Sequence, residues 1–197
     1  MKRTLSLALL CAGLLIGQAG YAQRHIKGQT AVGFAVGVID NLPRFSALRG
    51  PGSGYTAGID YVWYRKNERY WKGSFSYVRK YYAAQGPVKP LVEQYWVSMD
   101  YVPRGLYTTR RWLYIAPTIG AYAGYESVNR NRPNLAEGII QDKSTASIGP
   151  QFGLEAEVYV SSSVAIVSGI TERYIPFSEI AKFSTTGHIG IRYCFFK

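Results

Sequence analysis

Six charged residues occupy positions where the neighbouring sequence otherwise carries glycine and small side chains: Asp60, Lys72, Asp100, Glu155, Glu157 and Arg192. Glu155 and Glu157 are two residues apart, and side chains at that spacing share one face of an extended strand. Acids and bases gathered on one face can neutralise one another or form a pathway for protons or ions. Which of these applies depends on the strands that position them.

Other signals of catalysis or metal binding are weak. After residue 22 the chain holds only two histidines, His25 and His188, and neither has a partner at metal-ligand spacing. The glycine cluster at 50–54 lacks the Lys and Ser or Thr of a phosphate-binding loop. A hydrolase that joins Asp60 or Asp100 to His188 is an alternative, although no nucleophile lies in a recognisable motif. We therefore expect a non-enzymatic protein without catalytic residues, cofactor or metal.

The elements that carry the charges alternate bulky apolar residues with small ones. From Thr30 to Val38, the even positions are mainly valine and phenylalanine, and the odd positions are alanine or glycine. Eight strands are predicted in this way, at 30–39, 54–64, 70–82, 92–102, 112–125, 144–160, 164–174 and 185–196. Such strands suit a barrel whose bulky face contacts lipid and whose small face lines a narrow lumen. We predict an all-β fold, an eight-stranded antiparallel transmembrane β-barrel of outer-membrane type; the alternative is a soluble β-sandwich.

The predicted seventh strand has two competing apolar sets. Val164, Ile166 and Ile170 share one face, and Val167 and Thr171 share the other. The sequence therefore does not decide which face of this strand points inward.

Connection lengths indicate the orientation of the barrel. The predicted links are 40–53, 65–69, 83–91, 103–111, 126–143, 161–163 and 175–184, so long and short links alternate with one tie. Outer-membrane barrels have short periplasmic turns and longer outer loops. Both chain ends are thus expected on the periplasmic side.

In such a barrel the six charged residues must face inward, since a charge on the lipid face costs several kcal/mol. A narrow eight-stranded lumen cannot leave these charges isolated. We predict a structural network that joins Lys72 and Arg192 to Glu155 and Glu157, in preference to a proton or ion pathway.

Aromatic residues near the predicted strand ends suggest two belts at the bilayer interfaces, because their rings are apolar and their tips are polar. The belt at the short-turn end would contain Trp63, Tyr64, Tyr70, Trp71, Tyr101, Tyr107 and Trp112. The opposite belt would contain Tyr81, Tyr82, Tyr95 and Tyr125.

The first 22 residues have the pattern of a cleaved signal peptide. Lys2 and Arg3 precede an apolar stretch, and Gly20, Tyr21 and Ala22 form the expected cleavage site. The apolar stretch is shorter than the ~20 residues of a spanning helix, which disfavours the alternative of a membrane anchor. We expect residues 23–197 to form a single β-barrel domain, exported to the outer membrane of a Gram-negative cell.

The composition limits the partners. Loss of Lys2 and Arg3 with the signal peptide would reduce the formal charge from +11 to +9. The bases fall mostly in predicted connections, which favours solvated rims and lipid headgroup contacts over a nucleic-acid surface. Outer-membrane lipid is the expected partner, and direct DNA contact is not expected.

Four segments resemble the TraO family of conjugative-transposon transfer proteins: Gly-Ala-Tyr-Ala-Gly-Tyr-Glu-Ser-Val-Asn at 120–129, Gly-Leu-Glu-Ala-Glu-Val-Tyr at 153–159, Thr-Glu-Arg at 171–173 and Gly-His-Ile-Gly-Ile at 187–191. The resemblance extends over most of the chain after the predicted signal. It implies an envelope component of the machinery that moves DNA between cells, with other conjugation-apparatus proteins as partners, and it supplies no catalytic residues. The alternatives are a general surface adhesin or envelope-stability barrel and an acyl-chain-modifying enzyme that uses His188.

Overall fold

The computed structural model describes residues 25–40, 52–82, 91–108, 112–128, 134–135, 138–139, 145–176 and 182–195. Eight long strands make up the barrel: β1 (Thr30–Ile39), β2 (Gly52–Tyr64), β3 (Tyr70–Tyr82), β4 (Leu91–Val102), β6 (Leu113–Val128), β9 (Thr145–Tyr159), β10 (Val164–Tyr174) and β11 (Phe183–Phe195). Three short strands lie between them: β5 (Leu106–Tyr107), β7 (Asn134–Leu135) and β8 (Gly138–Ile139). The predicted signal peptide lies outside the described residues, as does most of the predicted link 126–143.

The eight long strands form one closed antiparallel sheet. Neighbours follow the order β4, β3, β2, β1, β11, β10, β9 and β6, and a β4–β6 pairing closes the ring. Strand β1 shows the closure directly, because Thr30 is opposite Trp63 on one side and Phe195 on the other. The predicted eight-stranded barrel is confirmed, and the sandwich alternative is wrong, since two separate layers would leave sheet edges that this ring does not have.

A short turn of 3-10 helix, Lys66–Glu68, joins β2 to β3. No helix in the described ranges is long and apolar enough to cross a bilayer.

The outer face of the barrel consists of the bulky apolar set. Ile119, Ile148 and Ile191 are each about three-fifths exposed, at 61%, 62% and 61%. The structure also decides the orientation of β10: Ile166 faces outward, whereas Val167 is only 5% exposed and lines the lumen. An apolar surface of this extent on every strand requires a lipid environment.

Glycine on the inner face makes room for large inward side chains. A Cβ atom on Gly33 would lie 1.8 Å from Oδ1 of Asp60, and one on Gly120 would lie 2.3 Å from Oδ1 of Asp100. The small residues at the inward positions of the strands therefore leave the space that the lumen charges occupy.

Two apolar layers lie at opposite ends of the lumen. The layer at the short-turn end contains Ala31, Val62, Tyr64, Tyr70, Val102, Tyr114, Ala116, Tyr159, Ala165 and Cys194, with Tyr107 packed against it. The layer at the loop end contains Ile39, Val78, Trp96, Tyr122 and Ile175. The charged residues occupy the space between these layers.

The predicted interfacial belt at the short-turn end is wrong for Tyr64 and Tyr70, which are 2% and 0% exposed inside the barrel. Tyr107 is also part of the inner layer. Trp63 and Trp71 face outward, at 39% and 41% exposure. The reason is the period of two: residues adjacent in a strand point to opposite faces, so each Tyr-Trp pair divides between lipid and lumen.

Candidate functional site

Arg192 is the centre of the lumen network. This β11 side chain is 1% exposed and contacts three carboxylates from two other strands. Its Nη1 donates to Oε1 of Glu155 at 2.9 Å and to Oε1 of Glu157 at 2.5 Å, and its Nη2 donates to Oδ2 of Asp60 at 2.6 Å. Charge-assisted bonds of this kind are the strong ones, and they offset the cost of burying each charge.

Lys72 and Asp100 are the other two predicted residues, and Lys72 links both of them to this centre. Its Nζ donates to Oε2 of Glu155 at 2.5 Å and lies 3.9 Å from Oδ2 of Asp100. All six charged residues singled out in the sequence therefore meet in one cluster, which ties β2, β3, β4, β9 and β11 together across the lumen.

Two residues extend the network and were missed by the sequence reasoning. Gln151 Nε2 donates to Oδ1 of Asp100 at 2.5 Å, and Arg173 Nε donates to Oε1 of Gln151 at 2.9 Å. Arg173 could not be assigned because the inward face of its strand was ambiguous. With Arg173 included, three permanent cations face four carboxylates.

His25 was also missed, and it closes the network at the short-turn end. Its Nε2 lies 3.0 Å from Oε2 of Glu157 and 2.6 Å from the hydroxyl of Tyr159, and its Nδ1 lies 2.8 Å from the hydroxyl of Tyr107. The imidazole stacks on Tyr64 with 4.6 Å between ring centres. The only signal in the sequence was a histidine just before the first strand.

A short backbone turn holds His25 in the barrel mouth. Gly28 N donates to the carbonyl of Tyr64 at 3.2 Å, and Tyr64 N donates to the carbonyl of Gln29 at 3.0 Å. Gly28 has a φ of +89°, a left-handed conformation that favours glycine. The segment 25–29 therefore returns over the end of β2 and places the imidazole among the tyrosines.

Tyrosine hydroxyls complete the coordination of the two glutamates. Tyr70 donates to Oε1 of Glu155 at 2.8 Å and to Oε1 of Glu157 at 3.0 Å. Tyr159 donates to Oε2 of Glu157 at 2.5 Å. Every carboxylate oxygen of Glu155 and Glu157 thus has a donor, which is the condition for keeping a buried charge.

A second buried ion pair lies at the loop end. Lys80 binds Asp40, and both side chains are 1% exposed. Asp40 also accepts a hydrogen bond from Thr185 N at 2.9 Å, and the backbone N of Asp40 donates to the carbonyl of Thr185 at 2.8 Å. This arrangement ties the end of β1 to β11 beside the layer of Trp96 and Tyr122.

Between the two layers lies a cavity of about 90 Å³, lined by both polar and apolar side chains, which has room for a few water molecules. Asp60, Asp100 and His188 all line it, but in the described ranges no hydrogen bond joins His188 to either aspartate. No group of three or more His, Cys, Asp or Glu side chains could hold a metal ion within the part of the chain that the structure describes. The arrangement can cross-link the barrel, and the cavity is far too small for a nucleic acid.

Replacing His25 with alanine should lower the free energy of unfolding by about 1–3 kcal/mol, because Glu157 and two tyrosine hydroxyls would each lose a buried partner. The urea midpoint of the purified barrel in detergent measures the change. The matched control is Lys27→Ala, an exposed side chain two residues away, which should change stability by less than about 0.5 kcal/mol. Equal midpoints for the two variants would contradict a stabilising role of His25 in the lumen network.

Comparison with known proteins gives one family match. The sequence model of the family described as "Conjugative transposon protein TraO" matches residues 26–195. A search of curated proteins found no match.

Similar solved structures include outer-membrane barrels of low sequence identity. Ail, the attachment invasion locus protein of Yersinia pestis, has a TM-score of 0.55 at 12% identity, over 86% of this chain and 100% of that one. OprG from Pseudomonas aeruginosa has a TM-score of 0.53 at 11% identity, over 86% and 97%. Neisserial surface protein A has a TM-score of 0.52 at 14% identity, over 84% and 96%. These likenesses establish the fold.

Proposed function

The chain belongs to the TraO family of conjugative transposon proteins, and from this premise we propose that it is a non-enzymatic outer-membrane barrel that serves a conjugative DNA-transfer apparatus as an envelope component. The observation that carries the proposal is the family match over residues 26–195, which includes every strand of the closed barrel. Other proteins of the apparatus and outer-membrane lipid are the proposed partners.

The outer-membrane location is supported by the surface of the barrel. Bulky apolar side chains face outward on all eight long strands, and similar folds belong to outer-membrane proteins. Cleavage of a signal peptide at residues 1–22 is the proposed route of export. The alternation of link lengths in the sequence supports both chain ends in the periplasm.

The structure of the lumen supports a role in which the barrel contacts other proteins and does not act as a channel. Apolar layers lie at both ends of the described barrel. Paired charges occupy the space between them and leave a cavity of only about 90 Å³. DNA would therefore pass elsewhere in the apparatus. The contact surfaces we propose are the outer loops, especially the predicted link 126–143, or the periplasmic turns.

Deletion of the gene from an otherwise intact element should abolish or strongly reduce the frequency of transfer, and the wild-type gene in trans should restore it. The measurement is the number of recipients that gain the element per donor. Complementation with Gly73→Ala is the matched control, since a Cβ at this outward position meets only ordinary contacts. Fractionation and gel mobility before and after heating would verify that each complementing protein is a folded outer-membrane barrel.

Unchanged transfer in the deletion strain would defeat the conjugation part of the proposal. If cell-surface binding or envelope integrity changed instead, the chain would be a general surface barrel. An altered lipid profile in a strain that carries His188→Ala would contradict the non-enzymatic part.

A further inference from the structure

The cationic side chain of Arg79 lies on the lipid-facing side of the barrel near its loop end. Arg79 belongs to the outward set of β3 with Tyr77 and Tyr81, because side chains two residues apart share a face. Its Cζ atom lies 5.6 Å from the ring centre of Tyr81, and its Nη1 donates to the hydroxyl of Tyr55 on β2 at 3.4 Å. The guanidinium is thus held between two aromatic side chains on the outside of the barrel.

The strand register gives the level of Arg79 relative to the bilayer. Tyr77 is opposite Tyr95, and Tyr95 is opposite Tyr125, so three outward tyrosines form a row across β3, β4 and β6. Such rows mark the boundary between hydrocarbon and headgroups. Arg79 is two residues closer to the loop end than Tyr77, or about 7 Å along the strand. That distance places its guanidinium at the level of lipid phosphates.

No carboxylate in the described ranges forms an ion pair with Arg79. Glu93 is directly opposite on β4, but its Oε1 accepts a hydrogen bond from the hydroxyl of Tyr77 at 2.6 Å. The Nε of Arg79 is buried and has no hydrogen-bond partner within the described structure. A guanidinium is a planar fork that suits the oxygens of a phosphate group.

We propose that Arg79, between Tyr55 and Tyr81, binds the phosphate group of an anionic lipid in the leaflet at the loop end of the barrel. The inference rests on the membrane location in the proposed function and is independent of conjugation. A phosphoglyceride and a phosphorylated glycolipid carry the same recognised group. In the proposed orientation, the bound lipid belongs to the outer leaflet.

The test is a lipid titration of the purified barrel in neutral detergent, followed by native mass spectrometry. Phosphatidylglycerol and lipid A are titrated separately, and an uncharged diacylglycerol serves as the lipid without phosphate. Arg79→Gln should weaken binding of the phosphate-bearing lipids by about fivefold, the effect of one base near a membrane surface. Arg79→Lys should restore part of the binding, because it keeps the charge and loses the fork.

The matched control is Arg65→Gln, which removes the same charge from an exposed position at the opposite end of the barrel. It should leave lipid binding unchanged. An equal loss in Arg65→Gln would overturn the site, since the effect would then be general electrostatics. Unchanged binding in Arg79→Gln would overturn it as well. Displacement of the lipid by inorganic phosphate at the same concentration would overturn the assignment to a membrane lipid.

These outcomes are separate from those of the proposed function. Weaker lipid binding by Arg79→Gln, together with unchanged transfer in the deletion strain, would support the lipid site and contradict the conjugation role. Failure of the wild-type barrel to insert into lipid vesicles would overturn the membrane location, and the lipid site with it.

Discussion

Replacing Arg192 with methionine is expected to reduce the free energy of unfolding by about 3–5 kcal/mol, the cost of breaking a buried ion pair from one side. Arg192 is the shared partner of Asp60, Glu155 and Glu157. Methionine is an uncharged, flexible side chain, shorter than arginine, so the carboxylates would remain buried without their cation and would repel one another. The measurement is reversible urea unfolding of the barrel, refolded in detergent or lipid.

A further variant separates the two effects of the Arg192 substitution, the loss of charge and the loss of packing. Glu155→Gln with Glu157→Gln should itself lower stability, because Arg192 and Lys72 lose their closest acids. Adding Arg192→Met to this pair should then cost much less than it does in the wild-type barrel, since two of the stranded carboxylates are already gone. Full additivity of the two changes would contradict a coupled network.

The matched control for Arg192 is Arg104→Met. Arg104 also contacts a carboxylate, with its Nε 3.3 Å from Oε2 of Glu68, but its side chain is 73% exposed. An exposed pair contributes at most about 1 kcal/mol. If Arg104→Met and Arg192→Met lowered the free energy of unfolding equally, the central role of Arg192 in the lumen network would be contradicted.

Replacing Gly124 with alanine is expected to destabilise the barrel by about 1–3 kcal/mol through overpacking. A Cβ at this inward position would lie 2.0 Å from Cε3 of Trp96 and 2.4 Å from the carbonyl oxygen of Tyr95. Trp96 is 1% exposed and packs edge-on against Tyr122, with 4.9 Å between ring centres. The indole therefore has little room to move, and the layer at the loop end must distort.

Unfolding in urea, followed by tryptophan fluorescence, measures this change. Gly73→Ala is the control on the outward face, where the nearest atoms to a Cβ are Cζ3 of Trp63 at 3.8 Å and Cε of Met99 at 4.0 Å. These are ordinary contacts, and loss of glycine flexibility in the unfolded chain should make the variant neutral or slightly more stable. Equal destabilisation by both substitutions would refute the close packing at Gly124.

The outward and inward faces of the strands could be read from the sequence because they depend on local alternation. Each bulky residue that contacts lipid is followed by one that lines the lumen, so Ile148 and Ile191 were assigned outward and Arg192 and Glu155 inward without knowledge of any partner. The same logic failed at 164–174, where both parities carry apolar residues. There the pairing of Val167 with Glu157 and Gly190 in neighbouring strands decides the inward face.

The aromatic residues show a second limit. Trp63 and Tyr64 have similar polarity and are adjacent, so composition could not separate a lipid-facing ring from a lumen-facing ring. The period of two within the strand does separate them, and the fold places Tyr64 beside His25 in the short-turn layer.

The sequence by itself determined that the chain forms eight membrane-type strands and that six charges face inward, because these properties repeat every two residues. The sequence also predicted that Lys72 and Arg192 join Glu155 and Glu157, but only the tertiary structure brought Asp60, Arg173 and His25 to the same network. Arg192 joins Asp60 from 132 positions away, and His25 joins Glu157 across the same separation. Such contacts depend on ring closure and on the return of the segment 25–29 over the barrel mouth. No local pattern encodes them, since closing the ring brings together strands that are distant in the chain.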